Sequence, residues 1–447
     1  MLKAIRLTNV GPAPGMNMDL APRLNILTGD NGLGKSFLLD VAWWVLTRTW
    51  ATKMMGDIDL MALPKPGAKA TIGYEYTTKT GRLHKFTSEY DATEIQWTDE
   101  DEEARRTDKA PKDAQWTGKQ GRPPIPGLVL YVQVDGGFSV WDPTRNYWKE
   151  NATDRPDAFR FAPAEVWDGK KGVCNGLIRD WPFWQASNDH SFAELKRVLK
   201  MLSPSRSEPL MPGKSRRVIV EDPRHHPTLR MPYGGEVPVI HASAGMRRII
   251  ALAYLLTWAW RQHVENANLR GEDPTHEIIF LIDELEGHLH PQWQRRIVPS
   301  LLKVMDALTG KHKSKVQVLA ATHSPLIMAS LEPFFNNHKD AWFDLDLERR
   351  KVVLQQRDYI QQGEVGNWLI SDAFDLKVAR SLKGEKAILK AEKQMQTKVP
   401  SPKAIAAADK ALREAGLPDI DTFWVRWRYF RDRHMPEDIT KQVRRKR

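Results

Sequence analysis

A glycine-rich loop between an apolar strand and a helix constrains this chain more than any other feature. Residues 29–36 read GDNGLGKS, which matches the pattern G-x-x-x-x-G-K-[ST]. The apolar segment RLNILTG leads into the loop, and apolar residues recur at helical spacing from Leu38 to Val45, so a helix should begin near Lys35. Glycines let backbone N–H groups turn towards phosphates, and the N-terminus of the new helix adds a favourable dipole. The segment therefore predicts a phosphate-binding loop in an α/β fold.

The residue types in this loop indicate how it would hold a nucleotide. We expect Lys35 to reach the β- and γ-phosphates and the Ser36 hydroxyl to ligate Mg²⁺. The cofactors predicted are therefore ATP and Mg²⁺. The other positions expected to contact the nucleotide are Gly29, Asp30, Asn31, Gly32, Gly34 and Phe37.

A second motif is an apolar strand that ends in two carboxylates. Residues 278–282 read IIFLI and are followed by Asp283 and Glu284. A run of this kind is typical of a central parallel strand that is buried on both faces. Asp283 could then bind the Mg²⁺ shell, and Glu284 could polarise the attacking water. The alternative is an ordinary strand with a solvated acidic turn, which the phosphate loop disfavours.

Two further segments fit the same site. The apolar run VQVLAA is followed by Thr322, His323 and Ser324, and a histidine there could hydrogen-bond the γ-phosphate or merely cap the turn. In HASAGMRR, Ser243 and Gly245 open a long helix, which offers either a backbone anion site or a simple N-cap.

Composition excludes several classes of protein. The chain has 447 residues and a net charge of +11, and Cys174 is its single cysteine, which rules out an internal disulfide and a cysteine-built zinc site. No apolar run approaches the ~20 residues that span a bilayer. The opening MLKAIRLTNVG lacks the pattern of a secretory leader. We therefore expect a cytoplasmic protein with no membrane contact.

The pattern along the chain predicts four segments. They are a first lobe with the phosphate loop and an antiparallel meander (1–134), an inserted tryptophan-rich region (135–234), a second lobe (235–357) and a basic helical segment (358–447). Apolar periodicity predicts helices at 246–262 and 292–308.

These motifs together resemble those of ABC-type ATPases. SAGMRR looks like their signature motif, LIDELEGHLHP like their Walker B motif and D-loop, and ATHSP like their switch-histidine loop. The form DE-x-E-x-HLHP followed by ATHSP is similar to the OLD-like bacterial ATPases, relatives of RecF, of the zinc-hook DNA-repair ATPases and of SMC heads. The resemblance covers residues 1–60 and 235–345. It implies a P-loop ATPase head with a mixed sheet flanked by helices.

The resemblance also implies an assembly. In that family two heads sandwich two ATP molecules, so Ser243 and Gly245 would act in trans, whereas Glu284 and His323 would act in cis. Gln133, at the end of the GLVLYVQ segment, is a candidate Q-loop residue that would join Ser36 and Asp283 around Mg²⁺. The partner expected first is a second copy of the chain, and a higher oligomer stays open.

The departures from the family narrow the functional hypotheses. The chain has neither a long coiled coil nor a cysteine hook, and only Asp344–Asp346 fits the DxD spacing of a Toprim nuclease, where we expect a strand. Such stand-alone ATPases are often paired with a separate effector, a nuclease or a toxin, in anti-phage systems such as Septu, PARIS or ATPase-associated retrons. The alternatives are a DNA repair or recombination ATPase that loads on DNA, and an ATP-dependent assembly platform with little turnover.

The C-terminus and the insert carry aromatic candidates for partner contact. Residues 422–447 hold nine Lys/Arg against three Asp/Glu, and they begin with FWVRWRYFRDR after Thr422. Aromatic residues at helical spacing favour a helix that docks Trp424, Trp427 and Phe430 onto protein, and stacking on nucleic acid is the alternative. Trp141 and Trp148 are candidates to contact a nucleotide base or a partner.

Overall fold

The chain divides into two units, Met1–Gly363 and Glu364–Arg447. The computed structural model describes residues 1–51, 62–65, 68–78, 81–90, 116, 126–146, 158–309, 314–374 and 376–435. Among the described residues, no helix has the length and apolar character that a bilayer-crossing segment requires.

The strands of the first unit have between two and nine residues. In chain order they are β1 Leu2–Thr8, β2 Gly15–Asp19, β3 Leu24–Gly29, β4 Thr71–Thr77, β5 Leu83–Glu89, β6 Leu128–Val132, β7 Phe138–Trp141, β8 Phe159–Phe161, β9 Met211–Pro212, β10 Thr228–Arg230, β11 Glu236–Pro238, β12 Glu277–Ile282, β13 Lys315–Ala321, β14 Asp340–Glu348 and β15 Lys351–Arg357.

The helices follow the same chain order through both units. They are α1 Lys35–Thr47, α2 Pro143–Asn146, α3 Pro163–Asp168, α4 Leu177–Ala186, α5 His190–Met201, α6 Ala244–Arg270, α7 Pro291–Gln294, α8 Ile297–Thr309, α9 Pro325–Leu331, α10 Val365–Leu369, α11 Leu382–Gln396, α12 Pro402–Glu414 and α13 Phe423–His434. A 3-10 turn, Val239–His241, precedes α6. The predicted helix at 292–308 is thus two helices, α7 and α8, rather than one.

A mixed eight-stranded sheet forms the centre of the first unit. Its strand order is β15-β14-β3-β13-β12-β6-β7-β8. The five strands from β14 to β6 are parallel, and the outer pairs are antiparallel. Every residue of β12 and β6 is buried, as expected for strands covered on both faces. The predicted mixed sheet flanked by helices is therefore confirmed.

Helix α1 packs between this sheet and a second, antiparallel sheet. The second sheet has the order β2-β1-β4-β5, and it contains the predicted meander as the β4–β5 hairpin. Ten of the thirteen residues of α1 are buried, because apolar side chains cover both sides of the helix. The helix is thereby held rigidly behind the loop that leads into it.

The longest helix, α6, is tied to the sheet at its far end by a buried polar network. The backbone N–H of Thr275 donates to Nε2 of His263 (2.8 Å), so the ring hydrogen lies on Nδ1, which donates to Asp142 (2.8 Å). Asn266 also donates to the Asp142 carboxylate (2.8 Å). Burial alone would raise the pKa of Asp142, but these hydrogen bonds lower it, so the network is stable with the carboxylate charged.

The second unit is helical and has its own core. Side chains of α11, α12 and α13 form an apolar cluster that includes Trp424, Trp427 and Phe430. The predicted aromatic docking helix is therefore present, but its partner is this chain itself. The hypothesis that these three aromatic residues wait for an external protein or stack on nucleic acid is wrong, because the core of the unit already buries them.

Candidate nucleotide site

The glycine-rich loop joins β3 to α1 in a conformation that only glycine accommodates at two positions. Gly29 has φ +123°, and a Cβ there would lie 2.1 Å from the Leu345 carbonyl oxygen of β14. Gly34 has φ +105°, and a Cβ there would lie 2.8 Å from Cγ of Pro12. Positive φ and close backbone approach both require glycine. Between them Asp30, Asn31 and Gly32 are exposed, so their backbone is accessible to a ligand.

Lys35 folds back over this loop. Its Nζ donates to the carbonyl oxygens of Gly29 and Asp30, both at 2.7 Å. Burial lowers the pKa of Lys35, although the nearby carboxylates of Asp283 and Asp30 oppose that change. The ammonium group is thus poorly solvated and lies beside the loop that would enclose phosphates.

Asp283 lies at the end of β12, beside the first turn of α1. Its backbone N–H donates to the Val132 carbonyl (2.9 Å), and the Ser36 hydroxyl donates to its carboxylate. The residue is 3% exposed, and burial raises the pKa of its carboxyl group. A hydroxyl and a carboxylate oxygen are ligands that Mg²⁺ prefers, so this pair fits the predicted ion.

Gln133 lies beside this pair but faces elsewhere. It follows β6, which pairs in parallel with β12. Its amide Nε2 donates to the Ala51 carbonyl (3.2 Å) and to the Ser139 hydroxyl (3.4 Å). Neither Ser36 nor Asp283 is a hydrogen-bond partner of Gln133 among the described residues, so its role at a metal stays a prediction.

Glu284 begins the turn after β12 in a left-handed conformation, with φ +46°. Arg248, on the second turn of α6, donates to the carbonyl oxygens of Glu284 (3.0 Å) and Asp283 (3.2 Å), and also to that of Val134 (3.1 Å). One guanidinium group therefore joins α6, the end of β12 and the turn after β6. Sequence analysis assigned no role to Arg248, although it belongs to the SAGMRR motif.

Glu286 connects the turn after β12 to the segment after β13. Its carboxylate accepts hydrogen bonds from the Thr322 hydroxyl (2.7 Å) and from the backbone N–H of His323. Burial lowers the pKa of His323, and the charge of Lys35 lowers it further. Glu286 is the last residue of the DE-x-E motif, but the motif does not indicate which residues the Glu286 carboxylate contacts.

Ser243 and Gly245 form the start of α6, about where the sequence places them. Ser243 is exposed, and its side chain accepts from the backbone N–H of Met246 (3.4 Å) as an N-cap. Gly245 is buried, and a Cβ there would lie 2.6 Å from the His288 carbonyl oxygen. The exposed serine is accessible to another molecule, as a role in trans would require.

The structure describes one of the two aromatic candidates in the insert, Trp141. Trp141 is 2% exposed within β7, so the prediction that it contacts a base or a partner is wrong. Trp148 lies outside the described residues.

The loop, Asp283, Glu284 and His323 meet at one edge of the sheet for a topological reason. They follow β3, β12 and β13, which are adjacent and parallel, and Gln133 follows the next parallel strand. The carboxyl ends of parallel strands lie at the same edge, where open α/β sheets bind ligands.

Comparison with known proteins gives matches to part of the chain. Residues 176–329 match the family described as "AAA domain, putative AbiEii toxin, Type IV TA system". The "Retron Vc95 probable ATPase" of Vibrio cholerae serotype O1 biovar El Tor is 33% identical over 99 residues, which are 22% of this chain and 17% of that protein. The "Septu protein PtuA" of Bacillus thuringiensis is 26% identical over 162 residues, 36% of this chain and 38% of that protein.

Among solved structures, the SMC head domain from Thermotoga maritima matches with 11% identity and a TM-score of 0.38. It covers 80% of this chain and 99% of that one. The chain spans well under half the length of the two curated relatives. The motifs predicted a similarity to ABC-type ATPases of defence systems, and this prediction is confirmed over part of the chain.

Proposed function

We propose that this protein is an ABC-type ATPase that binds and hydrolyses ATP between two copies of itself. Closure around ATP would act as a switch that controls a separate cytoplasmic effector, a nuclease or a toxin, in prokaryotic anti-phage defence. The observation that carries the proposal is the convergence of Lys35, Ser36, Asp283, Glu284 and His323 at one edge of the parallel sheet.

The side chains at this edge have complementary tasks. Lys35 would leave the loop carbonyls for the β- and γ-phosphates, which the loop N–H groups of residues 29–36 would surround. Ser36 and Asp283 would hold Mg²⁺, which neutralises the charge that develops on the phosphates, and Gln133 is a candidate to join them. Glu284 would orient and polarise the attacking water. His323, with its lowered pKa, would be neutral at pH 7 and would hydrogen-bond the γ-phosphate.

The second copy would complete the site. Ser243 is exposed at the N-terminus of α6, where its hydroxyl and the free N–H groups of the first turn favour an anion. Gly245 lets that turn pack closely against the His288 carbonyl. The names of the retron and Septu relatives support a place in a defence system with a separate effector.

The test is the Glu284→Gln variant of the full chain. It removes the carboxylate that polarises water and keeps Ser36 and Asp283, so it should bind Mg²⁺-ATP without turnover and accumulate as a dimer. Light scattering coupled to size-exclusion chromatography measures the mass with and without Mg²⁺-ATP, and phosphate release measures turnover. Glu348→Gln makes the same chemical change at an exposed hairpin carboxylate and should behave as wild type.

The outcomes separate the candidate functions. A Glu284→Gln variant that binds ATP but stays monomeric contradicts the composite site. Wild-type protein that dimerises with ATP and shows no turnover contradicts the ATPase and supports an assembly platform.

A further inference from the structure

One face of α11 in the second unit carries only positive charge. Lys383, Lys386, Lys390 and Lys393 are all exposed. Their spacing of three, four and three residues places them along one side of an α-helix, over about 15 Å at 1.5 Å per residue. We call these four residues the lysine face.

The opposite side of the same helix is fixed in the core. Gly384, Ala387, Ile388 and Ala391 are buried, and the last three belong to the apolar cluster shared with α12 and α13. The helix cannot rotate without exposing them, so the lysine face is held towards solvent.

The lysine face lacks the carboxylate partners that usually accompany lysines on an exposed helix. Within the described residues, none of its four ammonium groups lies within 4 Å of a carboxylate. Glu385 and Glu392 are on the same helix, but they are half-buried and lie about 120° and about 140° around the axis from the centre of the lysine face. Adjacent lysines three and four residues apart repel one another. The arrangement is therefore unfavourable for the isolated unit.

The neighbouring helix α12 shows the ordinary arrangement. Lys410 pairs with Glu414 (3.6 Å), and Arg413 pairs with Asp409 (2.9 Å), each one turn apart. The contrast between two adjacent helices of one unit shows that the segregated charge on α11 is local and does not follow from the composition of the unit.

We propose that the lysine face binds the phosphate backbone of a nucleic acid. Four ammonium groups in a line match a ligand whose negative charges repeat along its length, and lysine acts as a point charge that does not require the planar geometry of one carboxylate. The buried apolar side of α11 is not free to enter a lipid bilayer, which disfavours a membrane surface. The lysine face belongs to the second unit, and the proposal does not depend on the proposed ATPase function.

The experiment compares two four-lysine variants of the full chain. One changes Lys383, Lys386, Lys390 and Lys393 to Gln, and the control changes the exposed Lys377, Lys398, Lys403 and Lys410 of the same unit to Gln. Both lose the same charge. The probes are a fluorescein-labelled 30-nucleotide single-stranded DNA and the corresponding duplex, and fluorescence anisotropy is measured from 50 to 200 mM salt.

The expected result is specific to the lysine face. Its variant should lose at least about tenfold in affinity at 100 mM salt, and the slope of log affinity against log salt should decrease in magnitude by about 3 for single strands or about 3 to 4 for the duplex. The control should change affinity less than threefold. Thermal unfolding should show that the lysine-face variant is at least as stable as wild type, because like-charge repulsion is removed.

Three results would overturn the proposal. They are equal losses in both variants, no binding of either probe by wild type at 50 mM salt, and binding of phosphatidylserine vesicles that exceeds DNA binding and is lost in the lysine-face variant. The last result would assign the face to a membrane surface instead.

Discussion

Asp283 in the first unit and Asp409 in the second are buried to the same degree, but the pKa values of their carboxyl groups are shifted in opposite directions. They are 3% and 4% exposed. Burial raises the pKa of Asp283, which has the Ser36 hydroxyl and the negative Glu284 beside it. Burial would also raise the pKa of Asp409, but hydrogen bonds from Arg413 and Trp427 and the charge of Arg431 lower it instead.

Under the proposed function, Asp283 serves a ligand, whereas Asp409 serves the fold. Asp409 accepts from Arg413 (2.9 Å), Trp427 (2.9 Å) and Arg431 (3.2 Å), so its charge is compensated inside the second unit. The Ser36 hydroxyl and the charge of Lys35 do not offset the burial of Asp283, so this carboxylate is suited to accept a cation.

The largest expected effect is on stability. Asp409→Ala should lower the free energy of unfolding of the second unit by about 2–4 kcal/mol, because Arg431 would retain Asp432 but lose Asp409, and the buried Trp427 N–H would lose its acceptor. Asp283→Ala should leave the stability of the nucleotide-free first unit unchanged or raised, because the cost of burying this carboxylate exceeds what the Ser36 hydroxyl and the charge of Lys35 return. Hydrogen exchange resolved by mass spectrometry measures both, since it localises the change to peptides of each unit. Equal destabilisation by the two substitutions would contradict the distinction.

A smaller effect is expected at Glu286, which connects the turn after β12 to the segment after β13. In Glu286→Gln, either the Thr322 hydroxyl or the His323 N–H loses its acceptor, so His323 should be less well positioned. We expect kcat to fall about 10- to 100-fold, or roughly 1.4–2.7 kcal/mol, with KM for ATP changed less than threefold.

The matched control for this variant is Glu332→Gln. Glu332 also accepts backbone N–H groups, from Gln362 (2.8 Å) and Gly363 (2.9 Å), but it lies outside the nucleotide site. Its kcat should match wild type. If KM rises and kcat is unchanged in Glu286→Gln, the carboxylate supports ATP binding and does not position His323.

The smallest expected effect is the pH dependence of the same two carboxylates. The pKa of Asp409 is lowered in the folded protein, so its contribution to stability is present above the unfolded value of about 3.9 and is lost as pH falls through the folded pKa. The pKa of Asp283 is raised, so its contribution is present at low pH and is lost as pH rises through the folded pKa.

Urea unfolding of wild type and the two alanine variants between pH 3 and 8 measures this dependence. The cost of Asp409→Ala should shrink below pH 4. The benefit of Asp283→Ala should appear only towards neutral pH. If the difference in free energy of unfolding between wild type and each variant did not depend on pH, the opposite pKa shifts of the two carboxyl groups would be contradicted.

Much of the site could be predicted because its motifs end parallel strands. Lys35, Asp283 and His323 each follow an apolar run, and parallel strands bring such ends together whatever the intervening sequence. The contacts of Arg248 and Glu286 could not be predicted, since they depend on side-chain direction across turns that no periodicity encodes.

In the second unit, the sequence predicted the apolar face of a helix but not what covers that face. Helical spacing correctly indicated that Trp424, Trp427 and Phe430 share one face, but spacing does not say what covers that face. The cover comes from Ile388, Ile405 and their neighbours on α11 and α12, which looked like polar helices in the sequence. An amphipathic pattern identifies a buried face and leaves its partner undetermined.

The anchoring of α6 at both ends has a mechanical consequence. This helix is 27 residues long, about 40 Å, with Arg248 bonded near its start and His263 bonded to Asp142 near its other end. Because α6 is hydrogen-bonded to other elements near both ends, a displacement of one end moves the whole helix and does not bend it. If a second copy contacts Ser243 as proposed, the force that it applies there would move the whole helix and would reach β7 and the tryptophan-rich region.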